Sequence, residues 1–343
     1  MRSARLGEPA NLIQCSVRAG RGSTCNTSRK SAIATMSPNL RPLSPQLQEA
    51  AKELGEDPRR LEKDIQHIRD WLKQQPHLTA RTDDQWIVTF LRGCKFSLEK
   101  TKHKMDMYYT MKTAAPELFA NRDPLEPKIQ EILNAGFITY LPLLDKHGQR
   151  VTVLRLGQLD PKKVTGEDIF RMNFMGGDAA LLQDDAAVLT GTVALIDLKG
   201  CSLSHAALFG PASVKKCTTV LQDAYPLRMK AMHFVNAPSF SEALTGLFLP
   251  LMKEKIRRRV VMHSNLDSLL EYFDKDILPN EYGGNAGPIE IVAAPWRKRF
   301  ESLGEFFKED GKYRSDETKR PGKPKTSSDL FGVEGSFRQL VVD

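Results

Sequence analysis

The chain has 343 residues, of which 41% are hydrophobic, 27% charged and 8% aromatic, a globular balance that excludes a wholly disordered protein. No run reaches the roughly 18 consecutive apolar residues of a spanning helix, which excludes an integral helical membrane protein. Fifty Lys plus Arg against 42 Asp plus Glu give a net charge of +8, yet that excess sits mostly at the N-terminus, so the body is not expected to bind nucleic acid.

Residues 1–35 hold Arg2, Arg5, Arg18, Arg21, Arg29 and Lys30 against Glu8 alone and lack a continuous apolar run. The composition resembles a mitochondrial transit peptide more than a secretory signal. Met36-Ser37-Pro38 offers a second start, which would leave this segment an isoform extension or a disordered tail. Residues 1–45 are therefore expected to be a basic, disordered extension.

From Gln46 to Gln75, Leu47, Leu54, Leu61, Ile65, Ile68 and Leu72 recur at helical spacing, and Asp57-Pro58 begins a second helix. Asp83-Asp84 cap a run whose one face is Trp86, Ile87, Phe90 and Leu91, and Ser97 opens a helix through Met105 and Tyr108. Residues 46–120 read as an all-helical bundle.

After Ile129–Leu133 the period changes. Phe137–Leu143, the turn Asp145-Lys146-His147-Gly148 and Val151–Leu156 predict a hairpin. Thr165 caps a helix through Phe170, Phe174 and Leu181; then come a strand at Thr192–Leu198, a helix at Pro211–Leu221, a strand at Ala231–Val235, a helix at Phe240–Met252 and a strand at Val260–Met262. This alternation predicts, over residues 121–300, an α/β sandwich with a mainly parallel sheet and right-handed crossovers. Residues 301–343 read as a charged tail: a Gly-, Pro- and Lys-rich linker at 311–330, then the apolar Phe337 and Leu340-Val341-Val342.

Chemistry is conspicuous by its absence. Cys15, Cys25, Cys94, Cys201 and Cys217 form no C-x-x-C pair and the histidines no metal-binding spacing, so no metal is expected and a reducing compartment fits. There is no G-x-S-x-G elbow, no phosphate loop and no dinucleotide fingerprint. Asp197 near His205 is a weak acid–base pair without a nucleophile, and Asp197 reads better as the cap of the turn after its strand. Neither catalysis nor a cofactor is expected.

Two features remain. Phe240, Leu244, Leu247, Phe248 and Leu251 make an amphipathic helix bounded by Pro238 and Pro250 and weakened by Gly246, the pattern of a short segment that moves as a lid over an apolar cavity. Beside it lie Lys253, Lys255, Arg257, Arg258 and Arg259, with Arg228 and Lys230 before a strand. In a strand Arg257 and Arg259 share a face, as do Arg228 and Lys230, so the two rows would converge on a polyanion such as a phosphoinositide headgroup. Charge next to an apolar lid predicts an edge that docks on anionic membranes.

Over roughly residues 46–300 the chain resembles the CRAL-TRIO lipid-transfer family, its tocopherol and retinaldehyde carriers in particular. The resemblance is carried by Phe90-Leu91-Arg92-Gly93-Cys94-Lys95-Phe96, Ile196-Asp197-Leu198-Lys199-Gly200 with Ser204-His205, Tyr225-Pro226-Leu227-Arg228, His233-Phe234-Val235-Asn236-Ala237-Pro238 and Leu278-Pro279-Asn280-Glu281-Tyr282-Gly283-Gly284. It implies a helical N-terminal domain, a buried lipid pocket floored by the sheet, a lid that opens at membranes, and no catalysis. The implied pocket positions are Phe170, Asn173, Phe174, Gly177, Val193, Ile196, Val220, Leu221, Tyr225 and Met232, with Cys217 on the same face. The implied lid is Phe240, Leu244, Leu247, Phe248 and Leu251, and the implied phosphoinositide groove is Arg228, Lys230, Lys255 and Arg259.

Two departures stand out. Cys94, with Lys95 alongside, occupies the place of a second phosphate-binding arginine, and Asn173 and Gly177 differ in size and polarity from the tocopherol carrier's pocket. Tocopherols, retinoids, carotenoids, sterols and phospholipid acyl chains all stay open as ligands. The expected function is a cytoplasmic carrier, peripheral at membranes, that exchanges one hydrophobic molecule at phosphoinositide-bearing surfaces; a mitochondrial location follows only if residues 1–35 act as a transit peptide. The alternative is a phosphoinositide-sensing adaptor in membrane trafficking.

Overall fold

The structure is a computed structural model and describes residues 40–332, except the side chains of Ala243 and Leu244. The basic segment 1–35 and the apolar residues Phe337 and Leu340-Val341-Val342 lie outside the described residues. The N-terminal helices are α1 (Pro45–Glu53), α2 (Leu61–Lys73), α3 (Asp84–Gly93), α4 (Leu98–Ala114), α5 (Pro116–Phe119) and α6 (Pro127–Asn134), with a two-residue strand β1 (Leu78–Thr79) between α2 and α3. The Asp83 carboxylate opens α3 by accepting from the Trp86 backbone N–H at 2.9 Å, an N-cap that satisfies one of the helix's orphan donors.

Five strands form the main sheet: β2 (Ile138–Leu144), β3 (Arg150–Arg155), β4 (Thr192–Asp197), β5 (Met229–Val235) and β6 (Val260–Met262), in that spatial order. β2 and β3 are the expected antiparallel hairpin; the other three pairings are parallel. Their near-continuous apolar sequences follow from burial on both faces. On one face Val151, Val153, Val193, Leu195 and Val235 pack against Leu269, Phe273, Ile277 and Leu278. The opposite face looks toward α7 (Gly166–Gln183), which Thr165 and Asp168 open with a reciprocal capping box. After α7 come α8 (Asp185–Leu189), α9 (Leu203–Ala206), α10 (Pro211–Thr219), α11 (Ser241–Phe248), α12 (Glu254–Arg257), α13 (Ile289–Glu301) and α14 (Gly304–Asp310).

The segment Phe90–Phe96 seats the helical part on the sheet. Arg92 is fully buried, with Nε 2.9 Å from Glu56 and Nη1 3.1 Å from Asp185. Gly93 meets the chain entering β5 so closely that a methyl there would lie 2.2 Å from the Pro226 carbonyl oxygen.

The boundaries differ from the expected ones at both ends. Residues 40–45 are not part of a loose extension: Leu43 is buried with Ala51 and Leu189, and Arg41 pairs with Asp185 at 3.0 Å. Residues 301–332 are not a solvated tail. β7 (Arg314–Ser315) pairs antiparallel with β1, and α15 (Ser327–Phe331) buries Phe331 in the main core. Between them Arg320 reaches Asp106 at 2.9 Å and Thr110 at 2.8 Å. From β7 to α15 this strap is held chiefly by ion pairs and the Phe331 ring, which is why its composition mimics a linker.

Candidate lipid-binding cavity

Phe170, Asn173, Phe174 and Gly177 recur on one face of α7 and look across at the sheet, as helical spacing requires. Between them and the strands lies an apolar cavity of about 380 Å3, within the usual size of a small-molecule site. Gly177 makes room for Tyr225, since a Cβ there would sit 3.0 Å from the Tyr225 ring; that ring stacks on Phe174 at 5.4 Å. Beyond α10, which brings Cys217 to the wall, the chain widens into a π turn over Val220–Ala224. The extra residue in such a turn re-aims side chains. Leu221 and Gln222 reach the cavity, whereas Val220 points into the solid core and does not line it.

The sheet supplies Ala194 and Ile196 from β4 and Met232 and Phe234 from β5, alternate residues on one face. Val193 is a correction. It is three residues from Ile196, so the two face opposite ways, and Val193 packs in the layer behind the sheet. Alternation also carries the signal for wall residues that the sequence reading missed, Ala194 and Phe234 among them, together with Thr152 and Leu154 from β3.

The segment expected to form a lid is α11 followed by a tighter turn at Leu249–Leu251. Phe248 closes the cavity edge-on to Phe170 at 6.3 Å and to Phe209 at 5.6 Å. Thr245, Leu249, Met252 and Ile256 join it on the wall. Phe240, Leu247 and Leu251 pack against the main core instead of lining the cavity. The Leu244 side chain lies outside the described residues.

The basic residues gather beside the lid, though not as two strand rows. Arg257 ends α12, so it shares no strand face with Arg259. A second, open recess is lined by Glu254, Lys255, Arg258 and Arg259. Arg228 does not line that recess; it donates through Nη2 to the Val188 carbonyl at 3.0 Å and to that of Leu189, so it caps the end of α8. Arg259 donates to the Met229 carbonyl. Burial holds Lys230 below the usual lysine range, and the charges of Arg228, Arg259 and Lys95 push it the same way. Four cations thus face one another with little local compensation, the arrangement a polyanion relieves.

The CRAL/TRIO domain family matches residues 134–284, and the Pinta-like UBA domain family matches residues 57–129. A mouse protein described as alpha-tocopherol transfer protein-like is 34% identical over 280 residues, covering 77% of this chain and 80% of that one. The chain belongs to the CRAL-TRIO family. Human Clavesin-2 is 31% identical over 304 residues, covering 88% of this CRAL-TRIO chain and 91% of its own length. Among solved structures Sfh5 aligns at a TM-score of 0.45 and 17% identity, over 69% of this chain and 88% of that one.

CRAL-TRIO is a lipid-binding and transfer family, and the apolar cavity of this chain has the size of a small-molecule site. Asp197 and His205 have structural work here. Asp197 accepts from the Lys199 backbone N–H at 2.9 Å, from Asn236 at 2.8 Å and from the Tyr282 hydroxyl at 3.0 Å. The His205 ring is held between Ser202 at 2.8 Å and the Leu159 carbonyl at 2.9 Å. Among the described residues no helix is long and apolar enough to cross a membrane, and no group of three or more His, Cys, Asp or Glu is placed to hold a metal.

Proposed function

We propose that this protein carries one small, neutral, hydrophobic molecule and exchanges it at phosphoinositide-bearing membranes, without chemical change to the ligand. The observation that carries the reading is the lid-covered cavity. Its wall is apolar apart from a few groups, and each 100 Å2 of ligand surface withdrawn from water contributes about 2.5 kcal/mol. Among the described residues the single charged one on the wall is Lys253, already paired with Asp223 at 2.6 Å. A buried carboxylate or phosphate would therefore lack a counter-charge, which favours a neutral tocopherol-, retinoid- or carotenoid-like lipid. Asn173 adds selectivity: among the described residues its amide has no protein partner, so a ligand hydroxyl or carbonyl beside it gains a hydrogen bond.

Native mass spectrometry with organic extraction tests the cargo; a neutral lipid bound one to one is the expected result. Transfer to vesicles tests delivery. Lys230→Ala with Lys255→Ala is expected to slow transfer to vesicles containing phosphatidylinositol bisphosphate and to leave ligand affinity within about twofold. Equal losses of transfer and affinity would sink the separation of cavity from groove. Protein that binds those vesicles but never holds a lipid would be a phosphoinositide-sensing adaptor.

A further inference from the structure

The far end of the lid is fastened by two adjacent side chains of the π turn. Gln222 Nε2 donates to the Leu251 carbonyl at 3.1 Å, and its Oε1 accepts from the Lys253 backbone N–H at 2.7 Å. Asp223 Oδ1 pairs with Lys253 Nζ at 2.6 Å. The turn itself is anchored to the frame: Lys104 of α4 donates to the carbonyls of Gln222 and Tyr225, each at 3.1 Å, and Gln222 also reaches the Thr218 carbonyl at 3.1 Å. Among the described residues the only other hydrogen bonds from residues 241–253 to the rest of the domain are local ones at its two ends, in the loop leading into the lid and from the Ile256 and Arg257 backbone N–H groups to the Lys253 carbonyl. The rest of its hold is apolar, chiefly Phe248 on Phe170 and Phe209.

The clasp is weak where it is charged. Lys253 and Asp223 expose 62% and 37% of their side chains, and a pair so exposed contributes at most about 1 kcal/mol. Lys253 also stands one residue before α12, whose Lys255 and the following Arg258 and Arg259 line the basic recess. We infer that Gln222 and Asp223 form a clasp that keeps the lid shut, and that phosphate headgroups of an anionic membrane release it by drawing Lys253 away from Asp223. The surface binds Lys253 only when that pair is broken, so it favours the open lid by differential affinity, the one way a partner shifts such an equilibrium. The inference rests on the carrier reading and adds to it the switch that couples surface to cavity.

Hydrogen exchange of residues 239–253 reads the clasp directly, in full-length protein alone, with phosphatidylcholine vesicles, and with the same vesicles containing phosphatidylinositol bisphosphate. In the wild type only the anionic vesicles are expected to speed exchange. Asp223→Asn is expected to exchange about two- to fivefold faster without vesicles, the scale of an exposed ion pair, and to respond less to the anionic ones. Gln222→Glu provides a second variant, since it keeps the acceptor for the Lys253 N–H and removes the donor to Leu251. Wild-type exchange in both variants would overturn the clasp. Equal opening by soluble inositol trisphosphate would overturn the need for a surface. Anionic vesicles that bind the wild type without exposing the lid, joined to an empty cavity on extraction, would instead overturn the carrier reading.

Discussion

The Tyr225 hydroxyl donates to Asp178 Oδ1 at 2.7 Å, and that contact ties the cavity wall to a network of buried charges. Asp178 also accepts from the Tyr108 hydroxyl at 2.9 Å and pairs with Arg122, which reaches Asp310, itself 2.6 Å from Lys112. Helices α4 and α7 and the last turn of α14 thus converge on one network behind the cavity wall. Tyr225→Phe keeps the ring stacked on Phe174 and removes only the hydroxyl. The expected cost is about 1–3 kcal/mol, from weakening the satisfaction of a buried carboxylate, with ligand affinity nearly unchanged; denaturant unfolding and ligand titration of the same variant check both.

Gly93 tolerates no side chain. A Cβ would meet the Pro226 carbonyl, carbon and Cβ together, none of them the end of a flexible group. Gly93→Ala is expected to cost about 1–3 kcal/mol, the range of overpacking, and to disturb the Arg228–Lys230 segment just downstream. Binding to phosphoinositide vesicles should weaken along with unfolding stability, and a full recovery of binding at lower temperature would show the effect to be global only.

The strap makes different truncations unequal. Phe331 is 2% exposed and lies in the main core, while residues 333–343 follow it. Phe331→Ala is expected to cost about 3–5 kcal/mol. Thermal unfolding of that variant beside a chain ending at residue 332 measures the contrast, the truncation serving to show what the last eleven residues contribute.

The strap should also loosen in acid. Burial raises the Asp106 carboxyl, but hydrogen bonds from Arg320, Lys325 and His77 outweigh it and hold the group at about 2. Glu317 is likewise held at about 2, burial being outweighed by Arg320 and the Lys325 backbone N–H. Both groups bind protons more readily in the unfolded chain, so their stabilisation is complete above the ordinary carboxylate range and is lost as pH falls toward 2. Pepsin cleavage within residues 312–332 is expected to rise between pH 4.5 and 2 before the sheet opens. Asp106→Asn should bring that looseness to neutral pH, where cleavage by a protease active at pH 7 such as thermolysin reads it, at a cost on the order of 2 kcal/mol.

Much of this was legible from residue type and spacing. The hairpin, the parallel alternation and the capped α7 follow from period and caps, and Asp197 proved to be the turn-organising residue its position suggested. Carrying pocket positions over by resemblance placed Val193 on the wall, where the parity of β4 alone would have put it behind the sheet. Val220 failed for a subtler reason, since nothing in Val220–Ala224 announces that the helix widens there. The strap was hidden because Arg320 and Lys325 find Asp106 across more than two hundred residues, and long-range ion pairs leave no periodic trace. The clasp was invisible for the same reason, Gln222 and Lys253 being ordinary surface residue types.

The pairing of β1 with β7 joins residues 78–79 to residues 314–315. During synthesis the helical part emerges first, yet its small sheet stays half-built and Asp106 and Lys112 lack Arg320 and Asp310 until residues 310–320 have left the ribosome. A nascent chain with those charges unmatched can collapse but cannot lock, whereas domains generally fold as units from the N-terminus. The last steps of folding therefore fall to the strap, and the helical part becomes complete only as residues 314–332 join it.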